Sequence, residues 1–351
     1  MTWRWGLAAV VVGWPVAAFA YGVAVERRAY TLRRVSLPLL APGSPPWTIL
    51  HLSDLHLTRR DRRLVTWLRR LGELEPDLVV STGDNVAEAR ALPVLATALD
   101  PLFQYPGVFV FGSNDRYRAI RKTPWAYFLG RRRIPAGDRT LPTAALHELL
   151  TSAGWHDVEE RRVVLDLPGG PVEVRGTGDA HIGRDRYARV AGPPDPTARL
   201  ALGVTHSPYR HVLDAMTADG VDLILAGHTH GGQVCLPGFG ALTTNCDLDR
   251  RRAKGLSRWE VGGATRSLGP AATRPDHGGG GAGSVDGCQW SSSDHERARG
   301  VSDHEGGRAD TAHEPRRSAL HVSAGLGTSP YAPYRFACRP EATLLTLVPR
   351  G

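Results

Sequence analysis

Cysteine is scarce in this chain: four in 351 residues, at positions 235, 246, 288 and 338. No two of them form a C-x-x-C pair, which argues against a zinc ribbon and a thioredoxin-type redox motif. Four cysteines in a chain of this length do not make the disulfide framework of a small secreted domain. They read as separate thiols, with a Cys235–Cys246 bridge open only to an exported protein. Also missing is any run of aromatic residues interleaved with basic ones, the mark of a single-strand nucleic-acid groove. Aliphatic residues nearly vanish between 262 and 317, a segment of a dozen glycines and many charges. Such a segment cannot bury the apolar surface that folding needs, so it reads as a disordered Gly-rich insertion. Its histidines (His277, His295, His304, His313) read as part of that insertion rather than as metal ligands.

The rest is ordinary globular material, 42% hydrophobic and 22% charged, enough for one large domain or two smaller ones. A net charge of +8 and a pI near 9.7 suit nucleic acid, an anionic membrane surface or anionic small substrates, and do not choose among them. Residues 5–25, WGLAAVVVGWPVAAFAYGVAV, carry no charge. That run is long enough to span a bilayer as a helix, with Trp3 and Trp5 at one interface and a kink at Pro15 that membrane helices tolerate. Ala18-Phe19-Ala20 resembles a signal-peptidase site, but the apolar run continues past it. The sequence therefore predicts an uncleaved single-pass transmembrane anchor over 1–30. Arg27, Arg28, Arg33 and Arg34 behind it favour a cytoplasmic catalytic side. Four prolines between 38 and 46 predict a Pro-rich linker over 31–46, leaving 47–351 as the catalytic domain with the insertion at 262–317.

Within that domain, short apolar strands alternate with helical patterns, which argues for an α/β fold. Strands are expected at 48–52, 78–80, 108–111, 200–205 and 221–226. Helices are expected at 62–74, 89–99 and 142–155, with another between the last two strands. Pro168-Gly169-Gly170 separates two strand-like runs as a hairpin turn, and the runs 320–323 and 343–348 would close a sheet.

Five polar elements each follow one of these apolar runs: Asp54-Leu55-His56, Gly83-Asp84-Asn85, Gly112-Ser113-Asn114-Asp115, Thr205-His206-Ser207 and Gly227-His228-Thr229-His230-Gly231-Gly232. Side chains at the ends of strands in an α/β sheet converge on one edge, where sites form. Mixed Asp, His and Asn donors suit Mn, Fe or Zn better than Ca, and the flanking glycines let the backbone bend sharply. Any one element is commonplace; all five in this order are not.

The series D-x-H, G-D-N, a G-N-H-like element, H and G-H-T-H resembles the calcineurin-like metallophosphoesterases, over residues 47–261 and again over 319–348. The Gly227–Gln233 stretch resembles the branch that contains single-span and exported bacterial phosphoesterases. The resemblance implies a two-sheet β-sandwich flanked by helices and two divalent metal ions. It implies Asp54, His56 and His230 on the first ion, Asp84 bridging, and His206, His228 and an asparagine on the second. Asp84, Asn114 and His228 become the catalytic set, while Asn85, Asp115, Asp179 and His181 are placed beside the substrate.

One element departs from the family, whose pattern is Gly-Asn-His followed by an acid. A gapless match puts Ser113 at the metal-binding asparagine and Asn114 at the catalytic histidine; a slip of one residue lets Asn114 bind metal. Either way no histidine here serves as general acid, which disfavours esters with poor leaving groups. The sequence thus points to a metal-dependent hydrolase of phosphate diesters or of lipid-linked or envelope phosphoesters. A catalytically weak metal-binding membrane scaffold and a nuclease are the alternatives; nucleic acid is the less favoured partner.

Overall fold

The computed structural model describes residues 16–119, 139–236, 238–261 and 316–350. In chain order the strands are β1 (Thr31–Leu40), β2 (Trp47–Leu52), β3 (Leu78–Ser81), β4 (Gly107–Phe109), β5 (His156–Asp157), β6 (Arg162–Leu167), β7 (Gly170–Thr177), β8 (Leu200–Thr205), β9 (Leu223–Ala226), β10 (Cys235–Leu236), β11 (Gly240–Ala241), β12 (Gly255–Glu260), β13 (Arg317–Val322) and β14 (Glu341–Pro349). Helices α1 (Arg62–Arg69), α2 (Leu92–Leu99), α3 (Ser113–Arg116), α4 (Thr143–Ser152) and α5 (Arg210–Asp219) lie between them.

Two six-stranded sheets form, ordered β1-β14-β2-β3-β4-β5 and β12-β13-β9-β8-β7-β6. They face each other across a core that includes Ile49, Leu78, Val80, Val108, Val174, Leu202 and Leu225. Alternate residues of the same strands (Leu50, Leu52, Val79, Phe109) face outward into a second core with α1, α2 and α4. On the other side α5 packs Val212, Leu213 and Met216 against Ile224 and Leu320. A strand covered on both faces is apolar at every position, and its period of two sends odd and even residues to different cores. That is why β3 and β9 read as unbroken apolar runs. The expected two-sheet sandwich flanked by helices is therefore present, and β6 and β7 form the expected antiparallel hairpin.

Two expectations change. The stretch 31–46, read as a linker, is mostly β1, an edge strand pairing in parallel with β14 from Thr31 to Leu40. An edge position tolerates Pro38, whose missing N–H leaves no ladder bond unmade, and Arg33 pairs with the buried Glu341 of β14. The runs near 320 and 343 close different sheets: β13 pairs with β9 and β14 with β2. At the N-terminus residues 16–24 are helical, and no helix among the described residues is long and apolar enough to cross a membrane. Residues 1–15 of the expected anchor, and nearly all of the insertion, lie outside the described residues; Arg317, placed at the end of that insertion, begins β13.

A buried imidazole pair ties the two sheets together beneath the edge where the polar elements meet. His51 Nδ1 on β2 lies 3.0 Å from His321 Nδ1 on β13, and His51 Nε2 lies 3.0 Å from Thr82 Oγ1. One ring must offer N–H and the other a lone pair, so both cannot be charged. Burial pushes His51 well below its ordinary value, helped by His321, and pushes His321 down to about 4. A histidine whose folded pKa is depressed supports the fold fully above its unfolded value near 6.5 and loses that support as pH falls towards the folded value. The slope is about 1.4 kcal/mol per pH unit for each such group. Urea unfolding should therefore show stability falling by on the order of 2–4 kcal/mol between pH 6.5 and 5. His321→Asn should make the measured fall shallower by about 1–2 kcal/mol, the share of one such group; an unchanged slope in the variant would show that the pair does not titrate with folding.

Candidate metal centre

The carboxyl ends of β2, β3, β4, β8 and β9 deliver their polar residues to one edge. Asp54, His56 and His230 bring ligand atoms within 4.8 Å of one another, and so do Asp54, Asp84 and His206. Asp84 Oδ2 lies 3.4 Å from His56 Nε2 and 3.6 Å from His206 Nε2. Asp54 Oδ1 is 3.5 Å from His230 Nε2, and the His56 and His230 Nε2 atoms are 3.2 Å apart. His228 sets its ring 5.3 Å from that of His206, edge to face.

The backbone is bent to achieve this. Asp54, His56, Asp84, His228 and His230 all have left-handed φ, from 42° to 68°. Residues with a Cβ adopt that region at a cost of order 1–3 kcal/mol each, and such strain collects where the surroundings over-determine it. Two glycines make room: a Cβ at Gly112 would lie 2.1 Å from Asp84 Oδ1, and one at Gly227 would lie 1.9 Å from Ser53 Oγ.

Burial pushes the Asp84 carboxyl up, but His206, His56 and Asn114 outweigh it and hold it well below the usual range. Burial likewise opposes ionisation of Asp54, where His230 and His206 prevail and lower it. Burial also works against a charge on His206, yet Asp84, Asp179 and Asp54 lift it to about 10. Burial lowers His228 to about 3 and His230 to about 4. The site therefore combines ionised carboxylates, two neutral imidazoles and a strong pull on positive charge. Asp54 Oδ1 and His206 Nε2 are buried without hydrogen-bond partners. An unpartnered carboxylate oxygen and imidazole nitrogen in a mixed oxygen and nitrogen set fit a divalent cation, which would take the place of the His206 proton.

Asn114 reaches this cluster: its Nδ2 donates to Asp84 Oδ2 at 2.6 Å and its backbone N–H to Asp84 Oδ1 at 2.7 Å. Two residues placed beside the substrate by sequence reasoning turn inward instead. Asp115 is fully buried and accepts the N–H groups of Asp84, Asn85 and Gly112. Asn85 is buried between Ser81 and Asp115. Both hold the Asp84 turn in shape, because that tight turn has N–H groups with no strand to receive them. Asp179 is also buried and accepts from Ser207 and from the His181 backbone. His181 is partly exposed; its ring is 4.4 Å from that of His228 and its Nδ1 is 3.1 Å from Tyr209 Oη.

Sequence reasoning missed Arg335 and the turn after β13. Arg335 is fully buried, and its Nη2 donates to the carbonyls of Ala324, Gly325 and Gly327 at 2.7–3.0 Å. The same guanidinium lies 3.4 Å from His230 Nδ1 and from the His230 carbonyl. The turn it gathers presses on the first ligand: a Cβ at Gly325 would lie 2.6 Å from Asp54 Cβ, and Leu326 N–H donates to Ser53 O. Nothing periodic announces such a staple; the clustered glycines at 325 and 327 were the one available signal. Lysine keeps the charge but not the planar fork. Arg335→Lys should therefore lower stability by about 2 kcal/mol or more, as buried carbonyls go unpaired. It should also weaken metal retention on dialysis. Wild-type melting and metal content in this variant would remove Arg335 from the support of His230.

Comparison with known proteins agrees with this geometry. Residues 48–232 match the model of the calcineurin-like phosphoesterase family. The chain is 30% identical over 247 residues to the phosphodiesterase YaeI of Escherichia coli, covering 69% of this chain and 81% of that protein. It is 29% identical over 238 residues to a metallophosphoesterase of Aquifex aeolicus, covering 66% and 78%. It is 26% identical over 223 residues to a transmembrane protein with metallophosphoesterase domain of Bos taurus, covering 60% of this chain but only 46% of that one. With more than half of its length matched to the family and the candidate ligand residues gathered at one sheet edge, the chain belongs to the calcineurin-like metallophosphoesterases, hydrolases that act on phosphoesters.

Proposed function

We propose that this protein hydrolyses a phosphate diester with two divalent ions, held by Asp54, His56 and His230 on one side and by His206, His228 and Asn114 on the other, with Asp84 between them. The observation that carries this reading is Asp84 Oδ2, which stands 3.4 Å from His56 and 3.6 Å from His206. Mn, Fe or Zn suits these donors. Two such ions supply polarisation of the phosphoryl oxygens and an acidified water. The chain's own part is placement. Asp115 fixes the Asp84 turn, Thr82 O takes His206 Nδ1 at 2.7 Å so that Nε2 faces inward, and Arg335 braces His230. His181, partly exposed against His228, is assigned to substrate contact.

The diester reading draws support from the name of the Escherichia coli relative and from the lack of histidine in Gly112–Asp115. Asn114 rather than Ser113 is assigned to the second ion, because its amide touches Asp84. An amide cannot give up a proton to a poor alkoxide leaving group. Purified protein should hold roughly two ions, turn over bis-p-nitrophenyl phosphate, and act poorly on alkyl monoesters. Asn114→His should lower metal content without creating alkyl monoesterase activity. A gain of ~10²-fold on alkyl monoesters with full metal content would place Asn114 at the general-acid position instead. Full activity in excess chelator would end the two-ion reading.

The uncharged run 5–25 and the Bos taurus relative named as a transmembrane protein support an N-terminal membrane anchor and a lipid-linked or envelope phosphoester as substrate. The full-length protein should stay with membranes through high-salt washing, since apolar burial is insensitive to screening. Release by salt alone would mean a peripheral protein.

A further inference from the structure

Behind the metal-binding edge, two thiols far apart in sequence meet. Cys235 begins β10, its N–H donates to Phe336 O at 2.9 Å, and Val234 pairs with Phe336 as a parallel bridge. The chain segments carrying Cys235 and Cys338 therefore run side by side. Cys235 Sγ lies 3.3 Å from Gly231 O; Cys338 Sγ lies 3.4 Å from that same oxygen and 3.4 Å from His230 O. Both sulfurs thus sit against one carbonyl oxygen, inside a small cluster with Ala241, Ala253 and Ala324. Lys254 Nζ is 3.8 Å from Cys338 Sγ.

We propose that Cys235 and Cys338 are a modification site, a dithiol that closes to an intramolecular disulfide under peroxide and thereby loosens the His230 loop. Attack of the Cys338 sulfur on hydrogen peroxide gives a sulfenic acid and one water. The Cys235 thiol then displaces the hydroxyl, forming the S–S bond and a second water. Two thiols and one peroxide become one disulfide and two waters, and an added dithiol reverses the change.

The bond draws the sulfurs to about 2.05 Å and removes both S–H donors from the carbonyls of His230 and Gly231. Nothing there can yield easily: a Cβ at Gly231 would already lie 2.7 Å from Cys338 Sγ, and Gly231 and Gly232 are both left-handed. The strain falls on the loop that carries His230. This second half rests on the metal reading proposed above; the disulfide itself does not.

The test treats the full-length protein with hydrogen peroxide and maps its peptides by mass without reduction. The expected result is one cross-link, joining the peptides that contain Cys235 and Cys338. It should be absent from Cys235→Ser and Cys338→Ser and reversed by dithiothreitol. Metal content after dialysis should fall several-fold on oxidation and recover on reduction, and the serine variants should keep their metal under peroxide. Should a serine variant unfold, Cys235→Ala and Cys338→Ala serve in its place. A stable sulfinic acid at Cys338, or a cross-link to Cys246 or Cys288, overturns the site. A Cys235–Cys338 bond with unchanged metal content overturns its action on His230. A protein that forms the bond but never holds metal refutes the two-ion reading and leaves the modification site standing.

Discussion

Taking a carboxylate out of water costs several kcal/mol unless charges and hydrogen bonds replace the lost hydration, and this protein buries three within a few ångströms of one another. Asp54, Asp84 and Asp115 are each at most 2% exposed, and most of the local structure serves to compensate them. Asp115 is met by backbone N–H groups from the Asp84 turn and from Gly112. Asp84 is met by Asn114 and flanked by two imidazoles, and Asp54 by Ser53 and the His228 N–H. That compensation is incomplete by design of the geometry. Asp54 keeps an orphaned oxygen, and His206 is drawn to hold a proton up to about 10. The same carboxylates that strain the fold draw positive charge to this edge, as the raised His206 shows. The left-handed φ values at Asp54, His56, Asp84, His228 and His230 belong to the same account, since strain of this kind persists only where many contacts hold it.

The parts of this arrangement that were legible in the sequence are those carried by local pattern. Strands buried on both faces write themselves as apolar runs, and Asp54-Leu55-His56 or His228-Thr229-His230 announces ligands at the end of such a run. What was illegible depends on partners brought together only by the fold. Four prolines and arginines hid β1, because its stabilising neighbour is β14, at the other end of the chain. Asn85 and Asp115 looked like substrate contacts, because a polar side chain shows its chemistry in sequence but not whether water or backbone receives it. Cys235 had a near neighbour in Cys246, yet its spatial partner is Cys338. Arg335 carries no motif, since a guanidinium that gathers carbonyls needs only an aligned set of oxygens.

Arg335 also connects regions that the motif pattern treats as separate. Its backbone N–H donates to Gly22 O at 3.3 Å, and a Cβ on Gly22 would lie 2.5 Å from Arg335 O. Phe19 packs its ring 5.8 Å from that of Tyr334, and Glu26 accepts the Cys338 N–H at 2.6 Å. The helical segment 16–24 and the turn after it are thus fastened to the loop 334–338. From that loop the Arg335 side chain reaches His230, and the Cys338 sulfur reaches the carbonyls of His230 and Gly231.

The consequence is mechanical. A loop held at one side by the N-terminal segment and at the other by His230 cannot shift for one without shifting for the other. Close-packed interiors transmit displacement because they have no free volume to absorb it. Gly22, Gly231 and Gly325 mark three tight places along this line of contacts, and at each a single methyl group would collide. Glycine at these positions reflects space as much as backbone freedom: Gly22 has no left-handed φ to explain it, only the carbonyl of Arg335 in front of it. The chemistry at the sheet edge and the placement of the N-terminal segment therefore rest on one buried guanidinium and the carbonyls it collects.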